Sequence, residues 1–128
     1  MTGILSGRRI LVVEDEMMVL ANIEMALDDM GCTSYSAAAT IPEALALLDG
    51  ESFDAAMLDV NLNGEKSYPV ADALARHGIP FVFSTGYGDH GDRDEFSDRP
   101  LLRKPYVRSV LVAALASLVT PGPPGGAA

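Results

Sequence analysis

Four short apolar runs in this chain each end on residues that carry chemistry, and that punctuation constrains the fold more than any other feature. Ile10-Leu11-Val12-Val13 runs into Glu14-Asp15-Glu16. Phe53 to Leu58 runs into Asp59. Ile79 to Phe83 runs into Ser84-Thr85-Gly86, and Leu101-Leu102-Arg103 into Lys104-Pro105. The first, a β-branched run without polar alternation, reads as a strand buried on both faces, and the other three read as further strands. Cys32 to Ala37 is a weaker, half-polar strand. Helical spacing fills the gaps: Leu20, Ile23, Leu27 and Met30 before a Gly31 stop; Ala44, Leu45, Leu47 and Leu48 up to Gly50; Val70, Ala73 and Leu74 within 69–77; and Val107, Val110, Leu111, Ala114, Leu115 and Leu118 within 107–119. Thr40-Ile41-Pro42-Glu43 is a capping box, with proline in the first turn where its missing N–H costs little. The polar stretch 87–99 is a loop or a short, loosely held helix. Alternating strands and helices predict an α/β domain: a doubly wound, five-stranded parallel sheet with right-handed crossovers. In such sheets ligands sit outside the carboxyl ends of the strands, where the chemistry lies.

Composition narrows the function. A length of 128 residues fits one domain, expected over 8–119, with 120–128 a flexible tail of Pro, Gly, Ala and a leading Thr. With 6% aromatics and no Trp, the core must be aliphatic. Cys32 stands alone and is expected as a small buried apolar group. A net charge of −9 argues against direct nucleic-acid binding. No run approaches the roughly 20 apolar residues of a membrane helix, and the N-terminus lacks signal-peptide character, so a cytoplasmic domain without a membrane partner is expected. His77 and His90 are isolated and read as surface residues. Met17 and Met18 read as core or rim packing. Asp89, Asp92, Asp94, Glu95 and Asp98 read as a solvated loop.

The strand ends converge on one rim if the sheet forms. Crowded carboxylates repel and resist ionisation, and a hard divalent cation such as Mg2+ relieves this through oxygen ligands. A lysine across the site balances the remaining charge and a threonine hydroxyl adds a donor. The assembly suits a phosphoryl group, whose transfer is catalysed by positioning and charge stabilisation, with the attacking carboxylate becoming an aspartyl phosphate. Taken singly, Asp15 or Glu16 could cap the next helix and Asp59 could form a turn. Taken together, in order at successive strand ends, they favour a site.

Val12-Val13-Glu14-Asp15-Glu16, Leu58-Asp59-Val60-Asn61, Phe83-Ser84-Thr85-Gly86 and Lys104-Pro105 resemble the receiver domain of bacterial two-component response regulators. That resemblance implies a flavodoxin-like (βα)5 fold with strand order 2-1-3-4-5. It implies Asp59 as phosphoacceptor, Asp15 and Asp59 as direct Mg2+ ligands with the backbone carbonyl of Asn61, and Glu14 acting through water. It also implies Thr85 and Lys104 as phosphoryl contacts, a cis Lys104-Pro105 bond, and a switch rather than a turnover enzyme, phosphorylated by a sensor histidine kinase or phosphotransfer protein. Phe83-Ser84-Thr85-Gly86-Tyr87 is similar to the motif of the FAT GUY receivers, with Ser84 in place of Ala, which implies partners among kinases of the HWE or a related type. The strand-five position that usually carries an aromatic switch residue is Leu101 here, and Tyr87 is the natural substitute. An effector domain after the last helix is not expected, and output through protein contacts or phosphotransfer is. Two rivals remain: an Mg2+-dependent phosphatase, which usually needs an acid where Asn61 stands, and an interaction module that is never phosphorylated.

Overall fold

The apolar runs pair edge to edge, as their lack of polar alternation requires. The computed structural model describes residues 3–86 and 101–119. In chain order the elements are β1 (Arg9–Val13), α1 (Met17–Asp29), β2 (Ser34–Ala38), α2 (Ile41–Gly50), β3 (Ala55–Asp59), β4 (Asn61–Leu62), β5 (Glu65–Lys66), α3 (Tyr68–Arg76), β6 (Phe81–Thr85), β7 (Leu101–Arg103) and α4 (Arg108–Val119). Five strands form one parallel sheet in the order β2-β1-β3-β6-β7. With the small β4–β5 pair set aside, this is the expected 2-1-3-4-5 order.

Side-chain alternation sorts the core into two layers. Leu11, Val13, Ala56, Leu58, Phe81 and Phe83 face α2 and α3, where Ala44, Leu48, Val70 and Leu74 meet them. Ile10, Val12, Ala55, Met57, Val82 and Leu102 face α1 and α4, against Ile23, Ala26, Leu27, Leu111 and Leu115. Every residue of β3 and β6 is buried, as a strand covered on both sides must be. Phe83 stands edge-on to both Phe81 and Tyr68, at ring separations of 5.3 and 6.3 Å, an arrangement that aligns ring edge with ring face. Leu5, ahead of β1, is fully buried, and its N–H donates to the Met30 carbonyl.

The Thr40 cap forms, with Glu43 N–H donating to Thr40 Oγ1 at 3.2 Å, while the return contact of the box is shifted by one residue: Glu43 Oε1 accepts from Ala39 N–H at 2.9 Å. Gly31 closes α1 at φ 81°, a region open to glycine at little cost. Cys32 is buried and His77 is exposed, as expected. Three features differ from expectation. The core is not purely aliphatic, because Phe53, Tyr68, Phe81 and Phe83 are buried in the α2/α3 layer. The turn at Asn61–Gly64 is the head of an antiparallel hairpin, β4 with β5, whose Asn63 and Gly64 both take positive φ, 53° and 86°; Asn-Gly suits such a tight turn. Met17 and Met18 do not pack but are 81% and 83% exposed. At about 100° per residue they lie roughly 120–140° around the helix from Ile23, off the inward stripe of Ile23, Ala26 and Leu27. Tyr87, His90, the acidic cluster and the tail lie outside the described residues, within which no helix is long and apolar enough to cross a membrane.

Leu74 is fully buried on α3, away from the strand ends that carry the polar residues. Leu74→Ala leaves a cavity there and is expected to cost about 2–5 kcal/mol. Urea denaturation reads this as a lower midpoint at unchanged slope.

Candidate functional site

Strand register assembles the site. Val13 pairs with Leu58, so Glu14 and Asp59, one residue on, emerge side by side. Asp59 pairs with Ser84, and Thr85 with Arg103, so Lys104 follows at the same rim. Lys104 N–H extends the ladder by donating to the Thr85 carbonyl at 2.8 Å, as Glu14 N–H does to Ala38 at 2.9 Å. Parity then sets direction. The residues two before Glu14, Asp59 and Ser84 are Val12, Met57 and Val82, all in the α1/α4 layer, and side chains two apart share a face.

Glu14 and Asp59 are buried, at 2% and 3% exposure, and Asp15 is half-buried beside them. One oxygen from each of the three lies within 4.8 Å of the others. The Lys104 ammonium reaches Asp59 Oδ2 at 2.9 Å, Glu16 Oε1 at 3.0 Å and Glu14 Oε1 at 3.1 Å. The last approach is electrostatic: Glu14 Oε1 is buried and accepts no aligned hydrogen bond. Backbone donors hold the other acids, Asn61 N–H on Asp59 Oδ1 at 3.1 Å and Asn63 N–H on Asp15 Oδ2 at 3.0 Å. The Ser67 hydroxyl donates to the Asp59 carbonyl. Together they border a cleft of about 170 Å³ whose lining includes Asp15, Asp59, Asn61 and Lys104. Thr85 is buried at the end of β6.

Burial, reinforced by the neighbouring Asp59 charge, pushes the Glu14 carboxyl up to about 7. Burial works against the Lys104 ammonium, but hydrogen bonds to Asp59 and Glu16 outweigh it and its pKa rises. One ammonium therefore faces an excess of carboxylates. An all-oxygen donor set with an orphaned buried oxygen fits a hard divalent cation such as Mg2+.

The structure thus brings Glu14, Asp15, Asp59, Asn61, Thr85 and Lys104 to one rim. The ordinary alternative for the acids after β1 fails at the helix: Glu16 occupies the N-cap of α1 and its side chain makes no capping bond, pairing with Lys104 instead. Leu101 opens β7 with its side chain 49% exposed. Sequence reasoning missed Glu16 as a lysine partner and gave no role to Ser67 or Asn63. Three acids in a row was the available signal for the first; no spacing rule points to the others, whose contacts depend on the hairpin.

Known proteins share this architecture. The family model described as response regulator receiver domain matches residues 10–116. The chain is 37% identical over 127 residues to "Transcriptional regulatory protein TcrA" of Mycobacterium tuberculosis, which covers 94% of this chain and 49% of that protein. It therefore spans about half the length of the curated relatives it matches. Among solved structures, SdrG from Sphingomonas melonis Fr1 is 44% identical with a TM-score of 0.79, covering 88% of this chain and 97% of that one. The BeF3-activated conformation of SdrG from Pseudomonas melonis Fr1 is 43% identical with a TM-score of 0.74, covering 88% and 96%.

A carboxyl raised on folding retains a proton that the unfolded chain has already released. For Glu14 that window runs from its usual 4.5 to about 7, so stability falls as pH rises through it and stays low above. Glu14→Gln is expected to flatten this slope. In metal-free buffer at pH 8 the variant should be more stable than the wild type by roughly 1–3 kcal/mol. Urea melts from pH 5 to 8 measure it.

Proposed function

The chain belongs to the response regulator receiver domain family, and from that premise we propose that it is a phosphoacceptor switch in which Asp59 takes a phosphoryl group from a histidine. The observation that carries this reading is the Lys104 ammonium 2.9 Å from Asp59 Oδ2, with Glu14 and Asp15 oxygens within 4.8 Å of the same carboxylate.

An Asp59 carboxylate oxygen forms a bond to phosphorus as the bond from phosphorus to the donor imidazole nitrogen breaks. The electron pair of the broken bond stays on the imidazole, which leaves neutral when its other nitrogen carries a proton. Asn61 N–H, donating to Asp59 Oδ1, holds the attacking group in place. The Lys104 ammonium sits where charge accumulates on the transferred group, and the Thr85 hydroxyl offers a donor at the next strand end. Asp15, Asp59, the Asn61 carbonyl and, through water, Glu14 would hold Mg2+, which when bound neutralises charge on the phosphoryl oxygens. The cycle is the gain and loss of one phosphoryl group on this chain, not turnover of an external substrate.

The donor we assign is a sensor histidine kinase or phosphotransfer protein in the cytoplasm. The FAT GUY-like Phe83 to Tyr87 segment supports a kinase of the HWE or a related type. A net charge of −9 supports output through protein contacts rather than a nucleic-acid backbone. The domain spans 8–119. The 43% identity to SdrG, whose BeF3-activated conformation has been solved, supports activation at the equivalent carboxylate. Inverting a 1:99 population takes about 5.5 kcal/mol of differential stabilisation, which calls for several charge-assisted contacts to the new group.

Labelled acetyl phosphate with Mg2+ is expected to modify the wild type and not Asp59→Asn, and chelation by EDTA should stop the reaction. Lys104→Ala should slow labelling by roughly tenfold or more, the scale of a lost charge-stabilising donor. Equal labelling of Asp59→Asn and wild type would remove Asp59 from its role.

A further inference from the structure

Beside the acidic cleft two sealed hydroxyls, Ser84 Oγ and Tyr106 Oη, lie near enough to act on each other, yet neither makes an aligned hydrogen bond to any group. Buried polar groups are nearly always paired, so an orphan needs a reason. Ser84 is fully buried on β6 and pairs in register with Asp59 of β3 and Leu102 of β7. Registered residues of neighbouring parallel strands project to the same face about 4.8 Å apart. The Ser84 hydroxyl therefore stands one strand away from the Asp59 carboxylate, in the layer covered by α1 and α4.

Tyr106 enters that layer from the other side. It follows the cis Lys104-Pro105 bond and packs on the cluster containing Leu102 and Leu111. Burial pushes its phenol up to about 12, with Ser84 close enough to favour the phenolate and with Glu14, Lys104 and Asp59 all acting on it. The phenol therefore stays protonated and is a donor at ordinary pH. Tyr106 also walls a cavity of about 530 Å³ between the first turns of α1 and α4, which shares Glu16, Gly86 and Lys104 with the smaller cleft. The ring has open volume beside it and a charge centre behind it. Leu101 has no hydroxyl to offer.

We propose that Tyr106 and Ser84 form a two-hydroxyl relay that reads the charge on Asp59 and passes it to the first turn of α4. The proposal rests on Asp59 as the phosphoacceptor. A hydroxyl donates once and accepts as well. When Asp59 gains phosphoryl oxygens, Ser84 Oγ donates toward them and accepts from Tyr106 O–H, so both orphans are satisfied in one step. The shift of the ring draws on the chain that follows it, where Val107 and Val110 are 63% and 48% exposed, and so alters the surface of the α4 start. Tyr106 is a positioning residue, since it acts through Ser84 and does not touch the reacting atoms.

The test uses the full chain with tyrosine-ring and backbone-amide NMR, titrated with Mg2+ and beryllium fluoride. Tyr106 ring signals, assigned by their loss in Tyr106→Phe, should move on addition. The movement should be lost in Ser84→Ala and restored in Ser84→Thr, which keeps the hydroxyl. Tyr106→Phe should keep the amide response of Val60 and Asn61 but lose that of 107–111. Its acetyl phosphate labelling should stay within about twofold of wild type, because the lost group stabilises no reacting atom. If Val60 and Asn61 respond while Tyr106 does not, or if Tyr106→Phe keeps the full response at 107–111, the relay is overturned and the phosphoacceptor reading stands. If no wild-type signal responds and no label enters, the phosphoacceptor reading falls and the relay falls with it.

Discussion

The Lys104 ammonium is the contact on which the carboxyl rim depends. Glu14 and Asp59 are both nearly sealed from solvent, and two carboxylates in a poorly hydrated pocket cannot both ionise without compensation. Lys104 supplies it from the end of β7, two strands from β3 and three from β1, reaching three acids at 2.9–3.1 Å. The compensation is incomplete, which is why the Glu14 carboxyl stays high and one of its oxygens has no aligned donor. The surplus negative charge left at the rim is of the kind that a hard cation offsets.

The sheet makes this arrangement possible. Parallel pairing sends every strand's carboxyl end to the same edge, so residues separated by 45 or 90 positions in sequence meet within hydrogen-bond distance. The central strands β1, β3 and β6, which carry Glu14, Asp59 and Thr85 at or just past their ends, are covered by helices on both faces, whereas the edge strands β2 and β7 are partly exposed. The hairpin adds the remaining supports, with the Asn63 amide on Asp15 and Ser67, just past β5, on the Asp59 carbonyl.

Much of this was legible in the sequence, for reasons that can be named. Apolar runs such as Ile10–Val13 and Phe81–Phe83 read as strands because two-sided burial leaves no polar alternation. The convergence of Glu14, Asp15, Asp59 and Lys104 followed from parallel pairing, which sends every carboxyl end to one edge, and the strand order followed from the resemblance. The Thr40–Glu43 box was readable because capping is a local event. The hairpin was not, since strands of two residues are too short to show a period. Met17 and Met18 were misjudged because hydrophobicity alone does not give a side chain's angle around a helix. Whether Asp15 and Glu16 serve a helix end or the rim could not be decided from composition; it took the uncapped start of α1 and the reach of Lys104. Tyr106 drew no notice, because only tertiary packing brings its hydroxyl beside Ser84.

The parity of the strands divides the rim between the two layers of the core. Glu14, Asp59 and Ser84 all project into the α1/α4 layer, whereas the α2/α3 layer is an apolar packing of aliphatic and aromatic side chains. The buried acids of the rim therefore take their neighbours from one half of the molecule, whereas Thr85, two residues beyond Phe83 on β6, takes the parity of the other half.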